Sequence, residues 1–599
     1  MQEKNKGVLL KMKKIILKTL GFTLLCAYML SMVASCSHRT NTEQPTVTAT
    51  QTQAVNPDDD QPAPKNGIEK IYLVKAEKAS EQLERLVSRA STLIEKETGI
   101  QTEVVVDTQT AYAAKGNHYY VIFGDTVYDQ SKALAAKAKA NDLSYATTED
   151  SVAIYATTDQ LMTIAAEKLF ADCVKDGNFA VGNEYAAKTV DASECVQEKW
   201  TMNFPAPSEG RINATTYHTG YGMEAKKDPS YMQFLLGATK DSFQKYLKKL
   251  ESYGYKQELV NEIGGVQYAS YSGVLGTNIH LSFTETKYEL RVIEDRVSTP
   301  LSQFNYKMEA SDKTRLYMFK MGFKSEDCFF IHLADNSWIV IDGGYTGFSA
   351  GSAYVRDMYQ FMLERSNLAD GEKLQISCWY LTHAHSDHLG GMYGLIKEYG
   401  ANIEVHRVID NTPVEGYLEV TYRAQYEELL ARIKQQNPDV MYLKIHTGMV
   451  VELADTRIET LFTHEDFIRD YYAGSTTNLN RGSLVSVFNI AGLTFLETAD
   501  NMTASVYNKY PIEKLTTDVL KIAHHFYDTS LDSLYKQLYN TGKVSYCYNP
   551  RLDTTANAAN NYQASTMALF GSKYIQGSAT KVIEFYRSGI SVKMNVINY

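Results

Sequence analysis

For a chain of 599 residues, cysteine is scarce: there are seven, none in CxxC spacing. That scarcity excludes an encoded disulfide framework and a zinc site built from paired thiolates. Only Cys173 with Cys195 is left open to bridging. Apolar runs of membrane-spanning length are missing as well. The run from Leu20 to Val33 falls short of the roughly 20 residues a helix needs to cross a bilayer. Heptads and long apolar repeats are absent, which excludes a coiled coil. Basic charge is in deficit, with Lys+Arg at 60 against Asp+Glu at 70 and no Lys/Arg stripe. A surface of that kind excludes broad nucleic-acid wrapping, although a local phosphate site at a metal stays open. What is present is a hydrophobic fraction of 44% and a charged fraction of 22%, the composition of a folded protein, at a length that requires several cores.

The N-terminus is an export signal. Lys11, Lys13, Lys14 and Lys18 precede the Leu20–Val33 run, which ends in the small residues Ala34 and Ser35 before Cys36. The segment Val33-Ala34-Ser35-Cys36 resembles a bacterial lipoprotein box. The resemblance implies cleavage before Cys36, a lipid on its sulfur, a membrane as partner and an extracytoplasmic location in the cell envelope. Residues 1–35 hold six lysines and one glutamate, so their removal takes the formal charge from −10 to −15. Residues 36–65 are Thr, Gln, Pro, Asn and Asp with almost no large apolar side chain, and read as a disordered tether.

Two small modules follow. Over residues 66–200, strand-like runs such as Ile71-Tyr72-Leu73-Val74 and Tyr120-Val121-Ile122-Phe123 alternate with helical patterns from Ala79 to Lys96 and Leu161 to Val174, an α/β unit. The run continuing into Gly124-Asp125-Thr126, with Ser151-Val152-Ala153-Ile154 and a closing helix, resembles the accessory domain that precedes catalytic domains in several glycoside hydrolase families. Over residues 208–300 a helix from Lys240 to Tyr253 and alternating runs around Val266 to Ile293 indicate an α+β module. It carries no cluster of catalytic residue types and reads as a spacer or binding platform, and glycan contact is the expectation for these two modules. His218 and His280 there read as structural.

From residue 311 to 599 apolar strands end in polar, metal-friendly residues, the way catalytic side chains are mounted on a rigid sheet. The strand Ile376 to Thr382 runs into His383-Ala384-His385-Ser386-Asp387-His388-Leu389-Gly390-Gly391, followed by a helical pattern. Side chains two apart in extended chain share a face, so His383 and His385 suit one ion, while Asp387 and His388 at the turn face a second position. Neutral imidazoles and carboxylate suit borderline ions, zinc first with iron or manganese behind.

This motif resembles that of the metallo-β-lactamase superfamily, whose further elements follow in order. The resemblance implies a four-layer αββα sandwich with two divalent ions at the edge of its sheets. Trp338 to Ile341 with Asp342-Gly343-Gly344 resembles the first family motif, and implies Asp342 as a support behind the metal ligands. Asp500 matches the aspartate that bridges the ions. The run Val519 to Ala523 leads to His524-His525, matching the last metal-binding histidine, with His524 the first choice and His525 the second. His464, in Thr463-His464-Glu465-Asp466, is the expected third ligand of the first ion, while His446, His332 and His406 read as structural. The Leu-Lys-x-x-His-His ending looks closest to the metallohydrolase domain of bacterial competence channels. Two departures bear on substrate access: Phe526-Tyr527 replaces a small Gly-Ser, and Ala499 replaces glycine before the bridging aspartate.

The implied reaction is hydrolysis by a water deprotonated between two ions, with Asp387 holding the hydroxide or passing a proton to the leaving group. A phosphodiester leads, ahead of a lactone, amide or other acyl ester. The rival of a different class is a cell-surface glycan or envelope binding protein whose metal domain is vestigial. Diiron oxygen reduction would require a flavin domain, and the sequence holds none.

Overall fold

In a computed structural model of the chain, residues 67–109, 116–220, 223, 229–348, 351–413, 422–468, 478–527, 530–552 and 561–599 are described. The segments expected to be an export signal and a tether, with Cys36, lie outside them. Among the described residues no helix is long and apolar enough to cross a membrane.

The first sheet has six strands, in the order Gln101–Val106, Lys70–Lys75, His118–Phe123, Ser151–Ala156, Asp142–Thr147, Ala187–Asp191. The first four run parallel and the last two join antiparallel. Helix Glu81–Thr98 starts where the Ser80 side chain accepts from Leu83 N and stops at Gly99, whose φ of 72° ends the helical path. Its buried face, Leu83, Leu86, Val87, Ala90 and Ile94, packs with Leu161, Ile164 and Phe170 of helix Asp159–Cys173 on the sheet. Cys173 and Cys195 lie in this same core as free, buried thiols, so the bridge left open by the sequence is not formed.

The second sheet is antiparallel and gathers the runs from Tyr217–Gly220 to Glu289–Asp295. Helix Lys240–Ser252, opened by a Thr239–Ser242 capping box, covers one face with Phe243, Tyr246 and Leu250. The other face meets the C-terminal half through buried polar contacts. Arg291 Nη1 lies 2.6 Å from Asp466 Oδ1, Asn261 donates to the Gly448 carbonyl at 3.0 Å, and the Tyr268 ring lies so close to Gly448 that a Cβ there would stand 2.1 Å from it.

Residues 306–598 build two larger sheets, of eight and nine strands, facing each other. Ile331, Ile339, Ile341 and Tyr380 of one and Ile458, Phe488, Phe495 and Val519 of the other share a buried cluster. The strand Trp338–Asp342 is apolar almost throughout because both of its faces are covered. Ile339 and Ile341 enter the inter-sheet core, while Trp338 and Val340 meet the helices Ala353–Arg365 and Ser386–Tyr399. Helix Asp532–Asn540 packs outside the other sheet. The result is the αββα sandwich that the family resemblance implied. In strand Leu374–Tyr380 the register shifts by one residue between Ile376 and Cys378, so Ile376 faces the helices and Cys378 faces the opposite sheet. Such a bulge re-aims the strand end from which the histidine motif departs.

Candidate metal centre

Helix Ser386–Tyr399 begins immediately after His385, which places Asp387 and His388 in its first turn, where the helix dipole favours a carboxylate. The seat of that turn is backbone on backbone. A Cβ on Gly391 would lie 1.7 Å from the Gly343 carbonyl oxygen, one on Gly343 would lie 2.5 Å from Met392 N, and Gly391 N donates to the Gly344 carbonyl at 2.8 Å. The glycines after Asp342 thus serve close approach as well as the turn read from the sequence.

Asp342 accepts from Thr382 N and Thr382 Oγ1 at 2.8 Å each, and its Oδ2 lies 2.7 Å from His388 Nδ1. With Nδ1 occupied, His388 turns Nε2 inward, 3.3 Å from Asp500 Oδ2. His525 is built alike: Nδ1 donates to the Pro550 carbonyl at 3.1 Å, and Nε2 stands 3.5 Å from Asp500 Oδ1 and 3.3 Å from Asp387 Oδ2. His383 Nε2 lies 3.0 Å from His385 Nδ1 and 3.8 Å from Asp500 Oδ2. Two sets of ligand atoms, each within 4.8 Å, follow: Asp327, His388, Asp500 and His525, all buried, and His383, His385 and Asp500. Asp500 belongs to both. Atoms about 2.0–2.2 Å from a shared ion stand at most about 4.4 Å apart, so either set closes on an ion with small movements.

Three expectations change. Asp387, expected to face the second ion, lies in neither set, its Oδ2 3.3 Å from His525 Nε2. His464 does not join either set; it is buried with Nε2 on the Thr219 carbonyl at 2.9 Å, beside Glu465 and Lys444. The cause is the second sheet, whose edge strand Tyr217–Gly220 brings that carbonyl to the ring. His525, not His524, points into the centre. The chain takes φ of 47°, 48° and 62° at His524, His525 and Phe526, a left-handed run that carries His524 outward, its Nε2 2.9 Å from Asn480 Nδ2 and 3.9 Å from Asp500 Oδ2. Left-handed residues other than glycine cost on the order of 1–3 kcal/mol each, and here three in succession aim one imidazole. Asp327 was not singled out in the sequence. Its signal is a carboxylate pair, Glu326-Asp327, opening the apolar strand Cys328–His332, whose partner strand ends at Asp342. The residues expected to narrow access divide: Phe526 is buried against Tyr535, and Tyr527 is half-exposed beside His524 with ring centroids 5.1 Å apart. Ala499 adopts φ of 45°, the conformation glycine would take more easily.

The donor set fits divalent ions. His388 Nε2, His525 Nε2, Asp500 Oδ1 and Asp327 Oδ1 are buried without a hydrogen-bond partner in the protein, a cost that convergent ligation would remove. Asp327, Glu497 and Asp500 surround one permanent cation, Lys521, which is fully buried with Nζ 2.5 Å from Asp327 Oδ2, 3.5 Å from Glu497 Oε1 and 3.9 Å from Asp500 Oδ1, while Asp342 and Asp387 face His388 and His525. Burial pushes the Glu497 carboxyl up to about 8 although Lys521 opposes it. Burial also disfavours a charged His388, but Asp500 and Asp342 outweigh it and hold that ring well above the usual histidine range. The pocket is short of positive charge.

The αββα sandwich thus carries at its strand ends two candidate sets of metal ligands that share one aspartate. Residues 321–486 match the sequence model of the Metallo-beta-lactamase superfamily, and the C-terminal half carries that domain. A solved structure from Veillonella parvula DSM 2008, described as "a possible metal-dependent hydrolase", aligns with 11% identity and a TM-score of 0.27 over 46% of this chain and 99% of that one. No curated protein matches.

Proposed function

We propose that the protein is a binuclear metal-dependent hydrolase, with zinc the first choice of ion ahead of iron or manganese, held outside the cytoplasm by a lipid on Cys36. The observation that carries the reading is the convergence on one point of His388 Nε2, His525 Nε2 and Asp500 Oδ1, buried and without a hydrogen-bond partner in the protein. Bound ions would supply Lewis acidity and lower the pKa of a water enough for it to attack near neutral pH. Asp500 lies between the two ligand sets and fixes their spacing. Asp387, 28% exposed and 3.3 Å from His525 Nε2, would hold the attacking water and pass a proton to the leaving group.

A phosphodiester is the substrate class favoured. At the rim the Arg551 guanidinium lies 4.5 Å from the Tyr527 ring, which itself borders His524, so positive charge stands beside the metal pocket. Elemental analysis of the protein beside Asp500→Ala, paired with hydrolysis of bis-p-nitrophenyl phosphate and of an acyl ester, tests the reading. Near two ions per chain, lost with turnover in the variant, is expected. Turnover of the ester alone would move the substrate to the acyl class, and absence of metal after zinc reconstitution would leave the binding-protein reading. Mass spectrometry of the membrane-extracted protein should find a diacylglyceryl mass on Cys36; an unmodified Cys36 would remove the anchor.

A further inference from the structure

A cleft of about 310 Å³ lies where the second sheet meets the C-terminal sandwich, and none of its lining residues belongs to the metal centre. Its floor is one face of the sheet. Phe234, Arg291, Ser282 and Tyr268 are direct neighbours across four strands, and Glu289, Thr284 and Val266 form the next row on the same face, two residues along. Its wall is Glu465, Asp466, Lys509 and Tyr510 of the sandwich. Junctions of this kind are a preferred place for small-ligand pockets, whose volumes run upward from about 300 Å³.

The chemistry of the lining narrows the ligand. Lys287, Arg291 and Lys509 balance Glu289, Glu465 and Asp466, so the cleft offers no net attraction to either sign of charge. Asp466 is already paired, 2.6 Å from Arg291 Nη1 and 3.0 Å from Lys509 Nζ. Two buried atoms on lining residues have no hydrogen-bond partner, the donor Arg291 Nε and the acceptor Glu465 Oε1. An anion that satisfied Arg291 would face Glu465, and a cation that satisfied Glu465 would face Arg291. A hydroxyl group both donates and accepts and suits each. The hydroxyls of Ser282 and Thr284 add polar contacts, while Tyr268, Tyr510 and Ile263 offer apolar surface for ring C–H groups. We propose that this cleft binds a neutral saccharide of one or two rings.

Isothermal titration of the full mature chain with glucose, galactose, N-acetylglucosamine and maltose tests the assignment, with inorganic phosphate and glycine as charged competitors. At least one sugar should bind saturably in the millimolar range, more tightly than phosphate or glycine. Ser282→Phe, which fills the floor, should abolish binding. Arg291→Lys, which keeps the charge near Asp466 and removes Nε, should weaken binding by about tenfold. Circular dichroism and thermal melting confirm that each variant is folded; should Arg291→Lys fail to fold, Ser282→Phe decides the matter alone. Saturable sugar binding unchanged by Ser282→Phe, no binding of any of the four sugars, or tighter binding of phosphate or glycine would overturn the proposal.

Discussion

Among the described residues two groups of buried histidines can be compared, one at the strand ends of the C-terminal sandwich and one where the second sheet meets that sandwich, and only the first converges on a point open to an ion. His388 and His525 each spend Nδ1 on a fixed acceptor, Asp342 and the Pro550 carbonyl, and aim Nε2 at Asp500. His446 places Nδ1 2.8 Å from Glu465 Oε2 and faces Asp295 with Nε2, His280 spends both nitrogens on Ser270 and the Thr447 carbonyl, and His464 rests on Thr219. Burial holds His280 down to about 3 and His464 down to about 4, so both rings stay neutral. Burial and carboxylate neighbours are common to both groups. What separates a ligand from a structural histidine is where the second nitrogen points.

The largest test of that difference is His525→Ala. Four ligands in structural zinc sites share about 10–16 kcal/mol, so losing one should weaken binding at the buried set on the order of 10²–10³-fold, read by competition with a chelating dye. His524→Ala should leave that affinity nearly intact, and the reverse ranking would return His524 to the centre.

The contrast extends to carboxyls. Those at the centre face histidines and Lys521, whereas Glu167, on helix Asp159–Cys173, is fully buried with Oε2 accepting from Leu275 N and burial lifting its pKa to about 7. Its folded-state pKa is above the ordinary value, so the folded protein keeps a proton that the unfolded chain has released between about pH 4.5 and 7. Stability therefore falls as pH rises through that window and is level above it. Glu167→Gln should remove the fall and gain about 3 kcal/mol at pH 8 relative to the parent, measured by urea unfolding at pH 5 and pH 8. Equal slopes in the two proteins would show that Glu167 ionises normally.

Asp342→Asn should lower metal affinity by about 10–100-fold while leaving stoichiometry unchanged, because it loosens His388 without removing a ligand. The smallest effect on the centre is expected from His464→Ala, which should cost about 1–3 kcal/mol of stability by orphaning buried groups and leave the number of bound ions unaltered. Loss of an ion in that variant would place His464 back among the ligands.

Much of this was legible in the chain. The spacing of His383, His385, Asp387 and His388 and the strand-end positions of Asp342 and Asp500 are local features, written within a few residues of each other or of a strand. The sandwich was implied by the family resemblance those residues carry. Unreadable were the choices that depend on contacts distant in sequence. Whether His464 reaches an ion is decided by Thr219, 245 residues earlier. The exchange of His524 for His525 rests on the left-handed turn, which no residue there advertises, and Asp327 enters only because its strand pairs with the one ending in Asp342.

The contact of Gly343 with Gly391 carries a further consequence. Where Gly343 meets Gly391, the turn that follows Asp342 and the helix that bears Asp387 and His388 are in direct backbone contact, with no room for a Cβ on either glycine. Ligand and supporting carboxylate are therefore mounted on a single rigid seat, and the separation between them is set before any ion arrives. The entropy of organising that part of the site is spent when the chain folds, so capture of a metal there need only quench an electrostatic imbalance already in place.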